Sequence, residues 1–164
     1  MDSTKTQLQQ LAQSVGQRLL ENQCFLATAE SCTGGWVAQC ITDIAGSSQW
    51  FDRGFITYSN EAKHEMLGVS EQTLLTHGAV SEASVIEMVY GVLENSGADI
   101  ALAVSGIAGP SGGTPDKPVG LVWHAWQLRG QDPVTQVEQY NGNRFEVRQQ
   151  AVVTALNGVL HLLD

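Results

Sequence analysis

Thr28-Ala29-Glu30-Ser31-Cys32-Thr33-Gly34-Gly35 closes a short apolar run over residues 24–29 and opens an amphipathic stretch over residues 36–44. Apolar and β-branched residues, then small hydroxyl residues with paired glycines, then helical periodicity, read as strand, tight turn and helix N-terminus. Such a junction collects unpaired backbone N–H groups and the positive end of a helix dipole. An anion, or an oxyanion formed during acyl transfer, is stabilised there. A second loop of similar character appears later as Ser105-Gly106-Ile107-Ala108-Gly109-Pro110-Ser111-Gly112-Gly113. Two such loops in one short chain point to a binding site.

Working outward, Leu8, Leu11, Ala12, Val15, Leu19 and Leu20 recur at helical spacing, so roughly the first twenty residues form an amphipathic helix. Residues 51–59 are rich in aromatic and β-branched side chains and read as a strand. Asn60 is the expected N-cap of a short helix carrying Glu61, Lys63 and Met66, which stops at Gly68. Ser70 caps a further helical turn ending near His77-Gly78. Ser81 begins a longer helix whose buried stripe is Val85, Met88, Val89, Val92 and Leu93. Residues 99–104 form an apolar run suited to a central strand covered on both faces. Strands over residues 119–128 and 135–140 follow, and Val147, Ala151, Val152, Ala155, Leu156, Val159 and Leu160 describe a terminal helix.

Strands interleaved with helices predict an α/β fold, a three-layer α/β/α sandwich with a mixed, mostly parallel sheet of about five strands. No repeat or linker divides the chain, so residues 1–164 are read as a single domain. Ligands of open α/β sheets bind beyond the carboxyl ends of the strands. Ser31 and Ser105 both stand at such ends, so their loops are expected to share one crevice.

The net charge of −9 and an isoelectric point near 4.7 disfavour DNA or RNA as a partner, because phosphate backbones demand a basic patch. A small anionic nucleotide stays open, since a nest of N–H groups works whatever the net charge. No run approaches the roughly 18 apolar residues of a membrane span, so no membrane partner is expected. The N-terminus lacks the pattern of a signal peptide. Cys24, Cys32 and Cys40 are odd in number with no CxxC pair, which argues against a disulfide framework and a zinc site. A cytoplasmic, reduced protein is the expectation. Trp50 and Phe51, read as exposed apolar residues, allow a homodimer contact.

Taken alone, Ser31 reads first as a helix cap, because serine is a preferred one. As a nucleophile it needs a base. His64, His77, His124 and His161 carry no signature of a Ser–His–Asp triad. A lysine serves instead if a dry pocket leaves it neutral. Lys63 follows a strand whose end carries Tyr58-Ser59-Asn60, at the same sheet edge. By default Lys63 is a solvated helical charge and Tyr58 a core aromatic. Glu30 is a general acid, a substrate-binding carboxylate, or a charge suited to a helix N-terminus. Cys32 is the rival nucleophile, since a helix N-terminus lowers a thiol pKa. The glycines of the second loop favour close backbone approach to a ligand, though the pattern is neither a Walker loop nor a dinucleotide fingerprint. Arg144 and Arg148 open the terminal helix as surface charges or as phosphate contacts. No carboxylate–histidine cluster has metal-ligand spacing.

Four segments in one order complete the picture. The 28–35 and 105–110 loops join Thr57-Tyr58-Ser59-Asn60-Glu61-Ala62-Lys63 and His77-Gly78-Ala79-Val80-Ser81. Together they closely resemble the CinA C-terminal domain family, and in particular its stand-alone nicotinamide-nucleotide amidases. The resemblance covers nearly the whole chain. It implies hydrolysis of the carboxamide of nicotinamide mononucleotide to nicotinate mononucleotide and ammonia, a step of pyridine-nucleotide recycling, with no cofactor and no metal. Ser31 then looks like the nucleophile, Lys63 its base, and Tyr58 a helper in proton transfer or orientation. Substrate contacts are expected from Glu30, Cys32, Thr33, Gly34, Gly35, Ser105, Gly106, Ile107, Ala108, Gly109 and Arg144. One glycine-rich loop would hold the oxyanion and the other the ribose phosphate. The additional N-terminal nucleotide-pyrophosphatase-like domain of full CinA proteins does not fit in this chain, so that activity is expected to be absent. The competing readings are a non-catalytic nucleotide-binding or partner-docking module using the same pocket, and hydrolysis of another amide or of a phosphoester.

Overall fold

The computed structural model describes residues 3–164. Five strands, β1 (Leu26–Glu30), β2 (Phe51–Ile56), β3 (Ile100–Gly106), β4 (Leu121–Leu128) and β5 (Val134–Gln139), form one sheet in the order β2-β1-β3-β4-β5. β1 pairs in parallel with both β2 and β3, whereas β4 is antiparallel to β3 and to β5. Four strands therefore point one way and β4 alone is reversed, which makes the sheet mixed and mostly parallel. One consequence places the site. The carboxyl ends of β1, β2 and β3 and the start of β4 all lie along a single sheet edge.

Among the described residues, six α-helices cover the two faces. α1 (Ser3–Glu21), α2 (Trp36–Thr42) and α6 (Arg144–Leu162) pack with Leu26, Ile100, Leu102, Val104, Val122 and Trp126. α3 (Asn60–Leu67), α4 (Glu71–His77) and α5 (Glu82–Glu94) lie over the other face. Strand pleat sends alternate residues to opposite layers, and here the two sets differ in size. The second face presents Ala27, Ala29, Ala101, Ala103 and Ala125. A carpet of methyl groups admits α5 close to the sheet, where Val85, Met88, Val89 and Val92 are fully buried.

The first face carries the bulk and needs glycine to accept it. The Trp126 indole lies where a side chain at Gly158 would stand, and its Nε1 donates to the Ala155 carbonyl at 2.9 Å. Trp50 packs against Gly16 in the same way and is 2% exposed. That corrects the reading of Trp50 as an exposed dimer contact. The apolar stretch at 50–51 is the seam between α1 and the sheet. No described helix is long and apolar enough to cross a membrane.

Candidate active site

β1 delivers two consecutive side chains to opposite layers at its end. Glu30 goes to the α2 side and is 1% exposed. Its Oε1 accepts from Thr33 Oγ1 at 2.7 Å and from the Val37 amide at 2.8 Å, and its Oε2 from the Ala38 amide at 3.1 Å. The carboxylate thus satisfies amides that begin α2, which would otherwise be orphaned. Of the three roles open to Glu30, the structure shows the helix-start charge, so the α2 N-terminus is already occupied by an anion of the protein's own. The Thr33 hydroxyl is committed to the same carboxylate.

Ser31 turns the other way, toward α3. Ser59, not Asn60, caps that helix, its hydroxyl accepting from the Ala62 amide at 3.0 Å. With the start set there, Lys63 falls in the first turn and reaches back to the sheet edge. Its Nζ donates to Ser31 Oγ at 3.0 Å, to the Thr57 carbonyl at 2.8 Å and to the Tyr58 carbonyl at 3.2 Å. Lys63 is 1% exposed, and no carboxylate lies in ion-pair reach among the described residues. An ammonium ion desolvated without a counter-ion releases its proton readily. Burial pushes the Lys63 amine down from 10.5 to about 8.

The rival nucleophile fares worse. Cys32 is 6% exposed and burial pushes its thiol up to about 11, so it stays protonated near neutrality. Tyr58 enters through its backbone. Its carbonyl holds Lys63 and lies 3.5 Å from Ser31 Oγ, while its side chain is 63% exposed instead of joining the core. No histidine hydrogen-bonds the Ser31 hydroxyl among the described residues. His124 is fully buried, stacked on Trp126 and held by the Tyr140 hydroxyl at 3.2 Å, and burial pushes its imidazole down to about 3.

The second glycine-rich loop lies alongside, because the Ser31 amide donates to the Val104 carbonyl at 3.0 Å. Ser105 Oγ donates to the Ala79 carbonyl at 2.9 Å, tying this loop to the 77–81 segment. Lys117, farther along the same excursion, donates to the His77 carbonyl. Packing alone already requires two of the glycines here. A Cβ at Gly106 would meet Val122 and the Leu121 carbonyl, and one at Gly109 would lie 2.4 Å from Val119 Cγ1. The Ile107 amide is taken by the Leu121 carbonyl at 2.9 Å, and Ala108 is 5% exposed.

Arg144 and Arg148 lie four residues apart on α6, a spacing that puts both on one helix face. Arg144 donates to the Gly109 carbonyl at 2.8 Å, and Arg148 to the Cys32 and Thr33 carbonyls. One helix therefore grips both glycine-rich loops by their backbones. Thr57 and Ala79 are contributors that the sequence reading left out of the site, and Arg148 was read only as a surface charge or a phosphate contact. The i, i+4 arginine pair at a helix start was the available signal for Arg148. Thr57 and Ala79 act through carbonyls and carry no side-chain signature. A cleft of about 980 Å³ opens on the α1–α2–α6 side of the loop, walled by Gly34, Gly35, Trp36, Ile56, Phe145 and Arg148 among others. Ser31 and Lys63 are not among its walls. Among the described residues no group of three His, Cys, Asp or Glu side chains is placed to hold a metal ion.

All four sequence segments thus meet at one sheet edge, around a buried lysine on a serine hydroxyl. Residues 8–163 match the CinA C-terminal domain. This chain belongs to the CinA C-terminal domain family. Within it, the Nicotinamide-nucleotide amidohydrolase PncC of Escherichia coli K12 is 55% identical over 153 residues, spanning 93% of each chain. The protein of the same name from Enterobacter agglomerans is 52% identical over 157 residues and 96% of each chain. A CinA-like protein of Akkermansia muciniphila is 51% identical over 92% of this chain but only 36% of its own length. The crystal structure of the competence/damage inducible protein CihA from Agrobacterium tumefaciens superposes with a TM-score of 0.93 at 44% identity over 96% of both chains.

Proposed function

We propose that this protein hydrolyses the carboxamide of nicotinamide mononucleotide to nicotinate mononucleotide and ammonia, with Ser31 as nucleophile and Lys63 as its base. The observation that carries the reading is the 3.0 Å contact between Lys63 Nζ and Ser31 Oγ in a site without a counter-ion for the lysine. Near-full-length relatives named for this activity support the choice of substrate.

A neutral amine has two N–H bonds and one lone pair. The Thr57 and Tyr58 carbonyls accept the two N–H bonds, which leaves the lone pair for the Ser31 hydroxyl proton. As Ser31 Oγ attacks the carboxamide carbon, that proton passes to Lys63 and the carbonyl oxygen becomes an oxyanion. The tetrahedral adduct collapses when the Lys63 ammonium returns a proton to the departing nitrogen, releasing ammonia and leaving an ester on Ser31. Water then attacks the ester with Lys63 again taking the proton. Nicotinate mononucleotide leaves and Ser31 regains its hydrogen. Tyr58 contributes its carbonyl to this cycle, orienting the amine. The loop after β3, held at Gly109 by Arg144, is assigned to the ribose phosphate.

Product analysis tests the proposal. With no metal added, ammonia and nicotinate mononucleotide should appear in equal amounts. Release of inorganic phosphate, or saturable binding with no product, would contradict it in favour of a phosphoester hydrolase or a binding module.

A further inference from the structure

We infer that Arg148 is a positioning residue that aims the Thr33 amide of the nucleophile loop at the developing oxyanion. The inference rests on the amidase reading above. It assigns the oxyanion to the loop after β1, not the loop after β3.

The guanidinium spans two successive peptide units. Arg148 Nε donates to the Cys32 carbonyl at 3.0 Å and Nη2 to the Thr33 carbonyl at 3.3 Å. The fork is itself held. Its Cζ lies 5.5 Å from the centre of the Trp36 ring, and Trp36 leans on Phe145 with centroids 5.2 Å apart. Gly34 (φ +59°) and Gly35 (φ +102°) supply the left-handed turns by which the loop enters α2.

In a trans peptide the C=O and the following N–H point in opposite directions. A Cys32 carbonyl drawn toward α6 therefore turns the Thr33 N–H to the other side, the side of α3 and Lys63 where Ser31 Oγ lies. The Thr33 amide has no acceptor among the described residues. The next amide is spent, since Gly34 N–H donates to the Ser31 carbonyl at 3.0 Å. In the loop after β3, the Ile107 amide is bonded to the Leu121 carbonyl at 2.9 Å. The cation also withdraws electron density from the Cys32 carbonyl, which makes the coupled Thr33 N–H a better donor. Arg148 thereby acts on the reaction through the loop and not on the substrate.

The test compares wild-type chain with Arg148→Met and Arg148→Lys, reading kcat and KM for nicotinamide mononucleotide separately. Two inhibition constants accompany them: pyridine-3-carboxaldehyde, which adds to a serine to give an oxyanionic hemiacetal, and the product nicotinate mononucleotide. Misaiming one oxyanion donor should cost about 10–100-fold in kcat, somewhat less than deleting it. KM and the product constant should stay within about twofold while the aldehyde constant worsens in step with kcat. Lysine keeps the charge but cannot span two carbonyls as a fork, so Arg148→Lys should recover only part of the loss. Wild-type kcat in folded Arg148→Met overturns the inference. So does a rise in KM and product constant with kcat preserved, which would make Arg148 a substrate contact. If Arg148→Met does not fold, the same split in Arg148→Lys decides. A wild-type chain that releases no ammonia overturns the amidase reading itself, a distinct outcome.

Discussion

Lys63 Nζ stands 3.0 Å from Ser31 Oγ although 32 residues separate the two in sequence. The contact exists because β1 ends with Ser31 turned toward α3, and because the Ser59 cap fixes where α3 begins. Strand pleat and helix capping, two local rules, together build a non-local pair. Its consequences are measurable.

The amine that accepts the serine proton must be neutral, and burial holds its pKa near 8. The active fraction therefore grows as pH rises. kcat/KM should climb about tenfold per pH unit below that value and level off above it. A profile breaking near 6.5 would point to histidine as the base instead.

The same shift has a cost in stability. The folded-state pKa of Lys63 lies below its ordinary value of 10.5, so folding is penalised while the amine is charged, below about pH 8. The penalty fades as pH rises from 8 to 10.5, because there the unfolded chain binds the proton and the folded one does not. Relative to Lys63→Met, which carries no such charge, the wild type should gain up to about 3 kcal/mol across that window. Denaturant unfolding of both proteins at pH 7.5 and pH 10.5 measures it.

Packing behind the lysine matters as much. A Cβ on Gly91 of α5 would lie 2.0 Å from the Leu67 carbonyl of α3, the helix that carries Lys63. Gly91→Ala should destabilise the protein by about 1–3 kcal/mol and lower turnover of the folded fraction by displacing α3. Gly158→Ala, crowding Trp126 in the opposite layer, should destabilise comparably while the folded protein turns over at the wild-type rate. Thermal melts and active-site-normalised rates separate the two.

Cys32 follows the nucleophile directly, yet its thiol is buried and held protonated. Cys32→Ala should keep activity within about an order of magnitude, and iodoacetamide should inactivate the native enzyme slowly if at all. Rapid inactivation tracking alkylation of Cys32 would speak for a thiol mechanism.

What the sequence made legible was what local rules govern. The strand–turn–helix at Ser31, the caps at Ser70 and Ser81, and the apolar central strand all follow from periodicity and residue chemistry over a few positions. The pairing of Ser31 with Lys63 came from resemblance, because no periodicity reports a contact between two elements. The misreadings share a cause. Trp50 was taken for a surface residue, Glu30 was left open between substrate and helix start, and the packing duty of the loop glycines went unseen. In each case the deciding partner lies on another element: the Val37 and Ala38 amides, Gly16, and Val119 with Val122. Tyr58, Thr57 and Ala79 act through carbonyls, which every residue possesses, so no side-chain pattern marks them.

The most direct test is the initial rate of ammonia release from nicotinamide mononucleotide by wild-type chain and by Ser31→Ala, side by side and without added metal. Loss of about three orders of magnitude or more in a variant that keeps its fold is the expected result. A Ser31→Ala protein turning over within about tenfold of wild type would contradict the account, because no acyl intermediate on Ser31 is then required.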